Sequence, residues 1–475
     1  MKKVLFILLL AAVRLPAQGI IDFKISKPVC LLTFLLAANH DANISPTYSA
    51  YIYSHLPKQD SASFSGIVKA FSSISLSYGY TIPGYPENRI WPRTTFNLIS
   101  IAAVQASDLN DFLQRIMGIL PNEDWLKLRN VLQNAAPYYD KMIGDPCASA
   151  AKMQLSALQK LGGKADSIFI KLRAFYGSVW SADIPFTVSM YPLPGEGTNT
   201  TASPHSNNVV LAEMATEKDP PKSLSIAIHE MCHMLYLEQS LAMQVKIDGY
   251  FSQNTSRYSM YAYGYFDEAL ATACGNGWAY KALSGKMEVR SWYANEYING
   301  YAHAIYPMVE RYINEGRVPD KYFVDSAVSL FGKGFPGAIY NYGNLLNSVA
   351  VYTDAKDHEQ MNSVVSTINR YFTMRTFGVT YPIADPQSVS MIDESPGTQF
   401  FVIHSNRDEN YKLLKSKFPQ LKNLSVKDEG VINFFDDKKR PVIIVNVGDL
   451  DKLDTALSMM ANAKEMNPDK IYTPL

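Results

Sequence analysis

Apolar side chains recur at helical spacing through most of the first third of the chain. This pattern predicts helices over residues 28–39, 63–75, 96–104, 109–120, 123–135 and 148–161. The segment 79–86, Gly-Tyr-Thr-Ile-Pro-Gly-Tyr-Pro, reads as a loop from its proline and glycine density. From Asp166 the character changes. An amphipathic helix is predicted over 166–179, followed by apolar alternation over 184–191 that predicts a strand, with Pro185 marking an edge or a strand entrance. Residues 192–207, rich in Gly, Pro, Thr and Ser, read as a loop, and 208–212 as a second short strand.

A long helix is then predicted over 223–237. Asp219-Pro220-Pro221 is its start signal, and Leu224, Ile228, Met231 and Leu235 recur along it. Residues 249–265 form a polar, tyrosine-dense connection. A short helix over 267–274 is expected to stop at Gly275-Asn276-Gly277, and a further helix runs to Leu283. The helix over 290–314 carries Tyr293, Tyr297, Tyr301, His303 and Tyr306, with Pro307 as a kink. Beyond residue 328 the pattern shifts to strands at 347–352, 399–404, 431–435 and 441–447. Helices at 356–373, 409–418 and 450–460 separate several of them, which predicts a small α/β domain.

The expected class is therefore α+β in three parts: a helical region over 19–165, a core with a small sheet over 166–327, and the α/β domain over 328–475. Lys2 and Lys3 precede an apolar run over 4–13, with Leu15-Pro16-Ala17 near a cleavage point before Gln18. Residues 1–18 are read as a signal peptide, too short to span a bilayer. Export to the periplasm or the medium is expected, with no stable membrane insertion afterwards.

At 475 residues, 47% hydrophobic and 19% charged, the chain can build a large core. Its 44 basic residues equal its 44 acidic ones, which argues against nucleic acid or an anionic membrane as main partner. No glycine-rich phosphate-binding signature is present in the α/β part. Cys30, Cys147, Cys232 and Cys274 are expected to be buried free thiols, since a chain of this size needs no covalent staples. His40, His55, His358 and His404 are read as structural or solvated.

Chemistry concentrates in His229-Glu230-Met231-Cys232-His233. On a helix, residues four apart share a face, so both imidazoles can meet one metal ion, with Glu230 about a quarter turn away. Imidazoles are good zinc ligands, and a carboxylate that is not a ligand can take a proton from an activated water. The plain alternative is a buried helix that carries two histidines. A catalytic zinc wants a third protein ligand, and Glu268 is the candidate, separated from His233 by 34 residues and set in an apolar stretch where an unpaired carboxylate is expensive. Its alternative role is a first-turn carboxylate favoured by the helix dipole.

The pattern over residues 166–316 resembles the gluzincin, thermolysin-like zinc metallopeptidases. The resemblance implies a zincin-like core with zinc held by His229, His233 and Glu268, and Glu230 as general base. Enzymes of this group often place an aspartate four residues after the glutamate to orient a ligand histidine; here that position is Thr272. The Gly-x-Met-Glu-Asn segment of the exopeptidases is absent. A downstream tyrosine or histidine supplies the oxyanion donor in this group, which makes Tyr301 and His303 candidate catalytic residues, with Tyr306 behind them. An edge strand around Phe186–Met190 is expected to align a peptide or protein substrate by main-chain hydrogen bonds, and His205 is a minor candidate to face that groove. The alternatives are a non-catalytic binding protein on the same scaffold and a zinc hydrolase of a non-peptide amide or ester.

Overall fold

The near-continuous apolar stretch after Lys27 becomes helix α1 (Lys27–Ala38), whose residues from Pro28 onward are all buried. A helix that is apolar all round must be enclosed on every side. Five helices pack on it: α2 (Pro46–His55), α3 (Ser61–Ser72), α4 (Thr95–Gln105), α5 (Leu109–Arg115) and α6 (Asn122–Tyr139). Phe34, Phe64 and Tyr139 form the aromatic centre of this cluster. Two further helices, α7 (Asp145–Lys160) and α8 (Gly162–Tyr176), lead to the sheet.

The computed structural model describes residues 19–41, 43–80, 93–181, 183–195, 199–374, 376–395, 397–424, 429–467 and 470–475. The expected signal peptide and residues 81–86 of the expected loop lie outside the described residues. Among the described residues no helix is long and apolar enough to cross a membrane. The chain divides into two compact units, one comprising residues 1–248 and 267–323, the other residues 249–266 and 324–475. The four cysteines are buried and form no disulfide.

The first unit holds both the helical cluster and a four-stranded sheet. The sheet contains β1 (Ile21–Ile25), β2 (Phe186–Leu193), β3 (Thr201–His205) and β4 (Asn208–Met214), in the order β1-β2-β4-β3. The first three in that order run parallel, and β3 runs antiparallel to β4. Residues 19–165 and the following segment thus share one unit, because β1 pairs with β2 in register Ile21 to Phe186. The backbone amide of Ile21 also donates to Asp166 Oδ1 at 2.9 Å.

This pairing corrects the expected edge strand. The Phe186–Met190 segment is interior, flanked by β1 and β4, and its residues are almost all buried. Pro185 lies just outside the strand, where its missing N–H costs no ladder hydrogen bond. The edge beside the long helix is β3, formed by a segment that reads as loop because Thr-Ala-Ser-Pro-His lacks apolar alternation. Pro204 within it suits an edge, where one side of the backbone has no partner strand.

Helix α9 (Pro220–Leu237) begins as its sequence predicts. Asp219 caps it by accepting from the Lys222 amide, and prolines fill the first turn. It packs on β3 and β4, and Ser223 donates at 2.7 Å to Glu213 on β4. The chain continues through α10 (Leu241–Ser252) and α11 (Ser259–Thr272), so the expected polar connection is largely helical. It does not stop at Gly275-Asn276-Gly277 but passes through a π-helical segment (Ala273–Ala279) into α12 (Tyr280–Ser284). Helix α13 (Glu296–Glu315) begins only at Glu296, because Asn295 caps it, and Pro307 lies within it.

Among the described residues the second unit carries six strands: β5 (Ser348–Thr353), β6 (Thr376–Thr380), β7 (Thr398–Ile403), β8 (Gly430–Phe435), β9 (Pro441–Asn446) and β10 (Tyr472–Pro474). Their order is β10-β8-β9-β7-β5-β6, with the last four parallel and β8 and β10 antiparallel additions. Apolar clusters cover both faces, as a largely parallel sheet requires. His404 is structural here: its ring lies 3.0 Å from Asp354, which also accepts from the amides of His404 and Ser405. Overall the molecule is mixed helix and strand, in agreement with the α+β expectation at that level.

Glu213 yields a test of the tie between β4 and α9. Burial pushes its carboxyl up to about 7, against the opposing hydrogen bond from Ser223. An unfolded glutamate titrates near 4.3. Folded Glu213 therefore keeps a proton that the unfolded chain has released, and stability falls as pH rises from about 4.5 to 7. Glu213→Gln keeps an acceptor for Ser223 without a charge. Its unfolding free energy in a denaturant melt should exceed that of wild type at pH 8 by an amount of the order of 1–3 kcal/mol, and the gap should narrow towards pH 5.

Candidate metal centre

Helix α9 presents His229 and His233 on one face, with their Nε2 atoms 3.1 Å apart. Both rings are buried. Glu268, in the last two turns of α11, brings Oε2 to 3.6 Å from His229 Nε2 and 3.7 Å from His233 Nε2. Among the described residues this is the one group of three such side chains that could hold a metal ion. Two donors on a tetrahedral zinc, each at about 2.0–2.1 Å, lie roughly 3.3 Å apart. The three separations are close to that value. Glu268 Oε2 is buried yet has no hydrogen-bond partner. A buried carboxylate oxygen left in that state is costly unless a cation meets it, so the donor set fits the ion.

The sequence between Thr272 and Tyr280 explains how Glu268 reaches the pair. A Cβ built on Gly275 would lie 2.7 Å from both His229 Cα and His229 N. Only a residue without a side chain lets the π segment touch the α9 backbone here. The two glycines that resemble a helix stop are instead a close-packing device within a continuing helix. π-Helical turns are frequent at functional sites, and this one begins five residues after the acidic residue it helps to place.

The carboxylate that orients a histidine is also present, from an unexpected position. Asp267 Oδ2 lies 3.0 Å from His233 Nδ1, which favours a proton on Nδ1 and leaves the Nε2 lone pair to the cluster. Thr272, four residues after Glu268, is fully buried. Burial alone would depress the His233 pKa, but Asp267 and Glu268 outweigh it and raise it well above the ordinary value. For Glu268 burial works upward, and the adjacent His229 and His233 imidazoles reverse it, holding the carboxyl well below its usual range. Glu230 is half-buried and not among the three donors. Burial raises its pKa, the neighbouring histidines oppose this, and Glu268 and Asp267 add to it.

The expected oxyanion donors sit in three different settings. Tyr301 is fully buried in α13, with 0% of its surface accessible, so a substrate cannot touch it in this conformation. His303 is exposed and stacks on Trp292, with ring centroids 3.7 Å apart. Tyr306 is buried and donates to Glu310 at 3.0 Å. The aromatic ring that faces the cluster is Tyr293, whose centroid lies 6.0 Å from that of His229 at an interplanar angle of 27°. His205 ends the edge strand β3 and is half-buried, with its Nδ1 2.9 Å from Asn97 Oδ1, and burial lowers its pKa to about 4.

Asp267, Gly275 and Tyr293 are thus the residues that sequence reasoning missed. Asp267 adjoins a candidate ligand, and that adjacency was a usable signal. Gly275 and Tyr293 had none, because their roles depend on contacts between separate segments. Comparison with protein-family models, curated proteins and solved structures finds no match to this chain.

Two substitutions test this geometry. Gly275→Ala should force the π segment off α9, costing about 1–3 kcal/mol in a denaturant melt and weakening zinc binding in the same protein. Asp267→Ala, at a partly exposed position, should leave the fold intact by circular dichroism. It should nevertheless lower zinc affinity about 10- to 100-fold in a chelator competition.

Proposed function

We propose that this chain is a zinc-dependent peptidase. The observation that carries the reading is the convergence of His229 Nε2, His233 Nε2 and a hydrogen-bond-free Glu268 Oε2 on one point. His229, His233 and Glu268 would hold the ion. When bound, zinc supplies Lewis acidity, making water a stronger acid and polarising a carbonyl.

The remaining chemistry belongs to the chain. Glu230 directly follows a ligand on α9, and its raised pKa makes it a better proton acceptor than an exposed glutamate. Its carboxylate takes the proton of the attacking water and delivers it to the departing amine nitrogen. Strand β3 supports a peptide as substrate, because it is an edge strand packed beside α9. An extended chain can add to such an edge through main-chain hydrogen bonds. The basic and apolar pattern of residues 1–18 adds export to the proposal.

Elemental analysis and turnover on an unfolded protein substrate test this reading together. Wild type should carry about one zinc per chain and lose activity to a chelator, with recovery on adding zinc. Glu268→Ala should lose most of its metal. Glu230→Gln should retain metal while kcat falls by roughly 10²–10⁴-fold. Undiminished turnover in Glu230→Gln would remove Glu230 from the mechanism, and metal-free wild type would leave a binding scaffold.

A further inference from the structure

The loop before α13 is held by more contacts than a connector needs. Trp292 is its anchor, with its ring buried at 6% exposure. A Cβ on Gly277 would come within 2.9 Å of that ring, so the π segment leaves the space that the indole fills. Asn276 in the same segment donates to the Trp292 carbonyl at 3.1 Å, and Trp292 Nε1 donates to the Glu288 carbonyl at 3.2 Å. From α13, Asn299 Oδ1 accepts from the amides of both Trp292 and Tyr293, at 2.8 and 3.3 Å. His303 closes the outer face of the indole by stacking on it. All of these contacts fix one backbone position, and the next side chain along is Tyr293, facing His229.

Resting on the peptidase reading above, we infer that Tyr293 forms a substrate-contacting wall of the metal centre, and that His303 is a positioning residue acting on it through Trp292. Tyr293 is half-buried, so its ring has surface left to offer a ligand beside the histidine. An aromatic ring in that place takes an apolar or aromatic side chain of the substrate next to the reacting bond. His303 needs only its flat ring for this role, since the stack and not a proton holds Trp292.

The test uses the full chain with cobalt(II) in place of zinc and L-phenylalanine hydroxamate as probe, read by the visible spectrum of the cobalt. Tyr293→Ala should bind cobalt stoichiometrically with an unchanged probe-free spectrum, yet bind the hydroxamate about five- to tenfold more weakly. Tyr293→Phe should stay within about threefold of wild type, because the ring is kept. His303→Ala should show part of the same loss, and His303→Phe should restore it. On a phenylalanine-containing peptide, the Tyr293→Ala loss should fall mainly in KM. Unaltered hydroxamate binding in Tyr293→Ala overturns the wall. Equal losses in His303→Ala and His303→Phe overturn the stacking role and make the imidazole itself the active group. Wild type that takes up no cobalt defeats the metal reading, and this inference with it, which distinguishes the two failures.

Discussion

The structure depends on the contact between the α9 backbone and the π segment that follows α11. At Gly275 the two helices approach so closely that a single methyl group would overlap His229. This approach decides which acidic residue meets the histidine pair. Interiors pack at nearly crystalline density, so a shift of this pair would be transmitted and not absorbed. Glu268, seven residues before Gly275, is delivered by the same rigid helix.

Around that contact the site is built in layers of distinct physical origin. Two imidazoles share a face because helical geometry places residues four apart side by side. Asp267 orients one of them with its charge, at 3.0 Å. Trp292 acts by shape, filling the space over Gly277 and setting the direction of Tyr293. Strand β3 contributes backbone, an edge beside the helix that carries the donors. Charge, shape and main-chain pairing thus come from residues 201–205, 229–233, 267–268, 275–277 and 292–293, all within the first unit.

The same segments show why some of the fold was legible and some was not. Long periodic stretches such as α1, α6 and α9 carry their own signal, since a buried face must be apolar along its whole length. Strands β1 and β3 are five residues each, and β3 is mostly polar. Such segments become strands because a neighbour supplies hydrogen bonds, which no local pattern records. Pro185 marks a strand entrance and not an edge, because whether a strand lies at an edge depends on what pairs beside it. The division into units behaves likewise: β1 brings residues 19–165 into the first unit, and residues 249–266 belong to the second.

By itself the sequence determined the parts of the candidate centre that lie within one helix turn, His229, Glu230 and His233, together with the start of their helix. It also marked Glu268 through the cost of an acid in apolar surroundings, and the strand–helix alternation of the second unit. Only the tertiary structure decided that Asp267 serves as the orienting carboxylate and that the Tyr293 ring stands beside His229. It likewise decided that β3 is the edge beside α9. The reason is one of range: periodicity and capping are properties of neighbours in the chain, whereas second-layer contacts arise where a glycine allows two distant backbones to meet.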